Sequence, residues 1–237
     1  MQKSADAAPT AQGKLIVIEG ASDGIGKTTQ FKLLSEHLKK DGTRIATHHF
    51  PTYYAYQGKP VEMYLAGEYG KPEDLSPFFI NSLYAHDRAV TWQVKLKAEF
   101  NRGKTILLDR YTTSSLLYQS ALIDDEDEKR AFLDYVDDFE YHKLGIRRPD
   151  LVIFLYAPLK LVTKMRKNRK ENDGISHDIH ERDLHYMKKV YDNAMFVAKY
   201  CNWKLINCSK DYGRVMKTPA EIHDEIYREV TKKYGKS

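Results

Sequence analysis

Cysteine is scarce: Cys201 and Cys208 are the only two among 237 residues. That excludes a disulfide framework or a cysteine-built zinc site and makes a reducing, cytoplasmic setting the expectation. Long apolar runs are missing as well. The longest are strand-sized, far short of the roughly 20 residues that a membrane-spanning helix needs. The opening stretch MQKSADAAPTAQG has no apolar centre. It does not read as a secretory signal, and residues 1–13 are expected to form a flexible tail. Nor does one sign of charge dominate: 38 Lys and Arg stand against 33 Asp and Glu, a net charge of +5. Such a mild excess suits a small anionic ligand and gives no argument for a nucleic-acid partner. There is no internal repeat and no Pro/Gly-rich linker. With 42% hydrophobic and 30% charged residues, positions 14–237 read as a single soluble domain with ample core.

What is present is an alternation. Short runs rich in branched residues, LIVIEG (15–20), RIATHHF (44–50), TILLD (105–109), LVIFLYA (151–157) and KLINCS (204–209), are separated by longer amphipathic segments. Several runs are apolar on both alternations, as strands covered by helices on both faces must be. Helices are expected at about 27–40, 58–67, 75–102, 113–123, 125–145, 159–170, 180–201 and 219–234, with Gly42, Gly103 and Gly145 at stop positions. The expected fold is α/β: five parallel strands between two layers of helices. The charged run DDEDEKR (124–130) reads as a solvated helix start, acids first and bases later.

Between the first strand and helix lies GASDGIGKTT (20–29). It nearly fits the phosphate-loop rule G-x-x-x-x-G-K-[ST], but Gly20 stands one residue further from Lys27 than the rule requires. The segment DGIGKTT is intact, and the extra residue falls on the strand side, where it can bulge without moving Lys27. Backbone N–H groups of Gly24, Ile25, Gly26, Lys27, Thr28 and Thr29 can cradle phosphates at a helix N-terminus. Lys27 can reach β and γ phosphates, and the Thr28 hydroxyl suits a Mg2+ position. ATP and Mg2+ are therefore the expected cofactors. Asp109 and Arg110 end the strand TILLD, at the sheet edge where ligands of open α/β sheets sit. Asp109 could hold Mg2+ through water and Arg110 could fork onto phosphate. In KMRKNRKENDGISHDIHERD (164–183), Arg166, Arg169 and Lys170 share a helix face ahead of a polar, glycine-bearing loop. This is a basic lid able to cover a phosphoryl-transfer site, with Arg182 as a further candidate. The bland alternative is a solvated basic helix end.

Five segments, IEGASDGIGKTTQ, HFPTY…GKPVEMYLAGEYG, LYAHDRAVTWQ, LLDRYTTSSLLYQ and DIHERDLHYMKKVY, appear in that order. Together they resemble the thymidylate kinases, from about Lys14 to the last helix. The resemblance implies a P-loop nucleoside monophosphate kinase that moves the γ-phosphoryl group of Mg·ATP to dTMP. Residue by residue, it implies Asp23 and Phe50 at the acceptor, Tyr84 stacked on the base and Arg88 reading the base edge. It puts Asp109 and Arg110 at the phosphates and Ser115, Tyr118 and Gln119 around base and deoxyribose. Arg166 and Arg169 are then the lid arginines, because Gly24 and Ile25 stand where an arginine of the phosphate loop could have been. His180 reads as a neighbour of a helix cap. Helix 75–102, with FFINSLYA and VTWQV, implies a homodimer. One departure stands out: Thr52, Tyr53 and Tyr54 follow Phe50–Pro51, where many members of this family carry a phosphate-binding arginine. Thr52, Arg110 or Lys59 are the candidate replacements. The competing functions are a thymidine kinase, which would need a carboxylate such as Glu19 or Asp109 beside the 5′-hydroxyl, and a non-catalytic nucleotide-binding protein.

Overall fold

A computed structural model describes residues 12–22, 24–164 and 184–235, with side chains from 187 in the last segment. Asp23, the lid residues Arg166, Arg169 and Lys170, and His180 and Arg182 lie outside the described residues.

Five strands form one parallel sheet in the order β2-β3-β1-β4-β5: β1 Lys14–Gly20, β2 Ile45–His49, β3 Thr105–Asp109, β4 Leu151–Tyr156 and β5 Lys204–Asn207. The register is continuous, with Ile18 beside Asp109 and Ile153, and His49 beside Asp109. Side chains alternate across the pleat. Ile16 and Ile18 of β1 meet Leu34 and Leu38 of α1 (Lys27–Lys40) and Ile222, Ile226 and Val230 of a C-terminal helix on one face. Leu15 and Val17 meet Trp92, Leu96 and Phe100 on the other. Burial on both faces is why these strands read as uninterrupted apolar runs. Each such side chain contributes roughly 1.5–3 kcal/mol of transfer free energy.

The remaining helices are α2 Lys59–Leu65, α3 Pro77–Thr91, α4 Lys97–Asn101, α5 Thr112–Tyr118, α6 Glu126–Asp137, α7 (159–164 among the described residues), α8 Leu184–Tyr200 and α9 Pro219–Tyr234. The expected helix 75–102 starts two residues later, at Pro77, capped by Ser76, and continues through a widened stretch, Trp92–Leu96, into α4. A second widened stretch, Asp138–Lys143, follows α6 and turns Glu140 fully inward. The expected α6 start is borne out in its chemistry: Asp125 accepts N–H bonds from Asp127 and Glu128, and Glu126, Asp127 and Glu128 fill the first turn. The last expected strand is shorter than 204–209. Past Asn207 the chain forms a small hairpin, Ser209–Lys210 with Val215–Met216, which the sequence pattern did not suggest. No described helix is long and apolar enough to cross a membrane. Cys201 and Cys208 are both free thiols, and burial pushes them up to about 11 and about 12.

Candidate active site

The carboxyl ends of β1, β2 and β3 converge on one cleft. Beyond Gly20 the chain stays tied to the sheet, because Ala21 N–H donates to Leu155 O at 2.9 Å. The residue added relative to the standard loop spacing is thus absorbed by extending the strand edge, ahead of the turn. Gly20 itself has no room for a side chain: a Cβ would meet Ile25 at 2.7 Å and Lys27 at 3.1 Å. The turn then closes through Gly24 (φ 84°) and Gly26 (φ 101°), left-handed conformations natural to glycine. Gly26 caps α1, and no side chain occupies that cap. The first N–H groups of a 14-residue helix therefore face the turn. Lys27 lies buried against the loop, its Nζ donating to Ser22 O at 3.1 Å. The Ile25 side chain is 1% exposed and packs in the core under α1, which leaves its backbone for the turn.

Two pockets open here. One of about 140 Å3 lies among Gly24, Gly26, Lys27, Thr28, His49 and Asp109. The other, of about 300 Å3, runs under α3 and α5, walled by Phe50, Tyr84, Arg88, Tyr118 and Gln119 among others. Both include Arg110 and His49 in their walls, so the two cavities meet end to end at these residues.

Arg110 is held at that junction by its own backbone. Its φ is 66°, an unfavourable conformation for a residue with a side chain, and its N–H donates to Ile18 O at 3.2 Å. Arg110 Nη1 donates to the Tyr118 hydroxyl at 3.2 Å, and Glu19 Oε1 lies 3.8 Å away. Glu19, fully buried, is occupied: it accepts from Thr113 Oγ1 at 3.0 Å, Ser114 Oγ at 2.5 Å and Gly20 N–H at 3.0 Å. Asp109 Oδ2 lies 3.2 Å from His49 Nδ1, and its buried Oδ1 has no hydrogen-bond partner among the described residues.

The larger pocket has an aromatic side and a polar end. Tyr84 meets Tyr64 edge to face at 6.2 Å, and Phe50, 3% exposed, forms part of the wall. Arg88, one helical turn after Tyr84, is 1% exposed. Its Nε and Nη2 both donate to Glu140 at 2.6 Å, and Nη2 also reaches Ser115 Oγ at 2.8 Å. Burial alone would lower the guanidinium pKa, but the charge and hydrogen bonds of Glu140 reverse this and raise it. Glu140 also accepts from Thr112 Oγ1 at 2.9 Å. Gln119 lines the same pocket with a buried Oε1 unpartnered among the described residues.

Of the expected residues, the structure brings the phosphate loop, Asp109 and Arg110 to the small pocket. It brings Phe50, Tyr84, Arg88, Arg110, Ser115, Tyr118 and Gln119 to the large one. Thr52 and Lys59, two of the candidate replacements for the missing arginine, line neither pocket. Thr52 N–H donates to Asp87 Oδ2 at 2.7 Å and its Oγ1 bonds His48 at 2.9 Å and Thr91 at 3.2 Å, so it locks its own turn. Lys59 pairs with Glu62 on an exposed helix. Two residues were missed. His49 sits at the junction because β2 lies beside β3, a neighbour relation no local pattern carries. Glu140 reaches the site only through Arg88, 52 residues earlier in the chain, a pairing no local pattern carries.

The thymidylate kinase family profile matches residues 18–218 of this chain. Among curated relatives, the thymidylate kinase of Mycobacterium tuberculosis is 30% identical over 215 residues, covering 87% of this chain and 97% of the relative. The human thymidylate kinase is 29% identical over 227 residues, covering 94% and 95%. A solved thymidylate kinase structure from Candida albicans superposes with a TM-score of 0.70 at 23% identity, covering 95% of this chain and 94% of that one.

Proposed function

The chain belongs to the thymidylate kinase family, and from that premise we propose how its two pockets carry out phosphoryl transfer from ATP to dTMP, giving ADP and dTDP. The observation that carries the reading is the shared wall: a phosphate-sized cavity on a P-loop and a nucleoside-sized cavity meet at Arg110 and His49. An oxygen of the dTMP phosphate attacks the γ-phosphorus of ATP. The new O–P bond forms as the bond to the β–γ bridging oxygen breaks, and the electron pair leaves with ADP. No side-chain nucleophile takes part, so positioning and charge stabilisation carry the rate. In this assignment Lys27 and the N–H groups of Gly24, Ile25, Gly26, Thr28 and Thr29 hold the β and γ phosphates. Arg110 neutralises charge between the two nucleotides. Arg166 and Arg169 close over them, and Asp23 attends the acceptor.

The donor set suits magnesium. Thr28 and Asp109 line the same small pocket, and the unpartnered, buried Oδ1 of Asp109 is an oxygen in want of a cation or its water. Bound there, the ion would draw charge from the β and γ oxygens.

In the acceptor pocket Tyr84 supplies a ring face for a pyrimidine. Arg88 supplies donors and Gln119 Oε1 an acceptor, the complement of a thymine edge with its carbonyl oxygens and imide N–H. Ser115 fixes the Arg88 guanidinium and Tyr118 fixes Arg110. A thymidine kinase would need a free carboxylate by the 5′-hydroxyl. Glu19 is fully hydrogen-bonded and lines neither pocket, while Asp109 lines only the phosphate pocket. The exposed Phe78, Phe79 and Val94 on the α3 side suit a homodimer, to be read by light scattering. A cytoplasmic setting accords with the two free thiols. Incubation with Mg·ATP and, separately, dTMP, dUMP, dCMP, UMP and thymidine tests the assignment by ADP release. Fastest release with dTMP is expected; preference for thymidine, or no turnover with any acceptor, refutes it.

A further inference from the structure

We propose that His49 is a positioning residue for the carboxylate of Asp109, holding one oxygen so that the other is presented to the metal; this rests on the metal role assigned to Asp109 above. The argument starts in the backbone. His49 and Asp109 are the last residues of adjacent parallel strands and are direct register partners. In a parallel pair, residues at matched positions point to the same face. Their meeting is thus dictated by the sheet, and the Phe50 N–H to Asp109 O bond at 3.1 Å pins the two strand ends together.

The chemistry follows from what each atom can do. Carboxylate oxygens only accept, and His49 Nδ1 stands 3.2 Å from Asp109 Oδ2, within reach of donation when the hydrogen is on Nδ1. With Oδ2 facing the ring at 3.2 Å, donation from Nδ1 would bias the orientation of the carboxylate. Oδ1 is left buried and unpartnered among the described residues, in a pocket that also holds Thr28 and Lys27. An outer group that fixes the orientation of a metal-facing ligand commonly changes metal affinity or activity by about 10- to 100-fold. The ring itself is half exposed and stands in the wall of both pockets.

The test uses the full chain with ADP and Mn2+ as probe, following free Mn2+ by electron paramagnetic resonance, so that the readout is binding and not turnover. An asparagine amide nitrogen stands at the same bond distance from the backbone as Nδ1, whereas a glutamine amide nitrogen stands where Nε2 does. His49→Asn should therefore bind Mn2+ in the ADP complex within about twofold of the native chain, and His49→Gln and His49→Ala about tenfold more weakly. ADP affinity in EDTA should be equal in all, which guards against misfolding. Native Mn2+ affinity in His49→Gln and His49→Ala, or an equal loss in His49→Asn, overturns the proposal. Asp109→Asn separates the two levels. If it weakens Mn2+ binding while the His49 variants do not, only the role of His49 fails. If it leaves Mn2+ binding intact, the metal assignment of Asp109 fails with it.

Discussion

Replacing Glu140 by alanine removes the partner of a buried charge without touching the phosphate loop. Arg88 is 1% exposed, and two of its strongest bonds, both 2.6 Å, go to Glu140. What remains is Ser115 at 2.8 Å, Asn81 at 3.3 Å and the Tyr111 carbonyl at 3.5 Å, all neutral. Stranding one member of a buried ion pair costs about 3–5 kcal/mol. Against a total stability of roughly 5–15 kcal/mol, that loss is large. Glu140→Ala should therefore lose about 4 kcal/mol in urea unfolding followed by circular dichroism. Arg88→Met combined with Glu140→Leu removes both charges and should recover at least half of that loss, since a buried pair exchanged for apolar groups is often close to neutral. Function offers a second readout. Glu140 orients the guanidinium that walls the acceptor pocket, so Glu140→Gln should raise KM for dTMP about tenfold, equivalent to about 1.4 kcal/mol, and leave KM for ATP in place. A cost below about 1 kcal/mol for Glu140→Ala, or strictly additive single and double variants, would refute the reasoning.

Lys27→Ala should leave the circular dichroism spectrum and unfolding midpoint near native while kcat falls by about 10²–10³ or more, as loss of a preorganised charge contact at the transferred group requires; retained turnover would remove the phosphate-loop assignment. His48 gives a pH dependence with a definite sign. Burial, then the charges of Lys95 and His49, lower it from 6.5 to about 4. Lys95 can only donate to Nδ1, so Nε2 carries the hydrogen given to Thr52. Between pH 6.5 and about 4 the unfolded chain binds a proton that the folded chain does not, so stability is full above 6.5 and falls as pH drops through that window. His48→Gln keeps a donor for Thr52 and should show a shallower decline over the same window in urea titrations; an unchanged slope would show that His48 does not contribute.

The parts of this molecule that were legible in the sequence are those whose cause is local. A strand buried on both faces has to be apolar at every position, so LIVIEG and TILLD announced themselves and carried Asp109 and Arg110 to the ligand edge. A chain that wraps an anion needs left-handed turns next to a helix start, so Gly24, Gly26 and Lys27 could be placed despite the added residue. Tyr84 and Arg88 share a helix face by spacing alone. The illegible parts depend on which distant segment arrives next to them. Arg88 was expected to offer its fork to a base edge, yet Nε and Nη2 are taken by Glu140, 52 residues on, and only the remaining donors can face the pocket. Glu140 could not be found by pattern, because a widened helical stretch rotates it out of the charged surface of its own segment. Thr52 differs for the opposite reason. Its closeness in sequence to Phe50–Pro51 suggested a phosphate contact, but its N–H goes to Asp87, its hydroxyl pairs with Thr91, and His48 donates to that hydroxyl. His49, passed over as one of two strand-end histidines, acquires its place only when β2 docks beside β3. A basic or acidic residue in such a chain is therefore not assigned by its own position. Its role is decided by whether the fold delivers a counter-charge to it first, and in this site Arg88 and Glu19 receive one, while Asp109 Oδ1 does not.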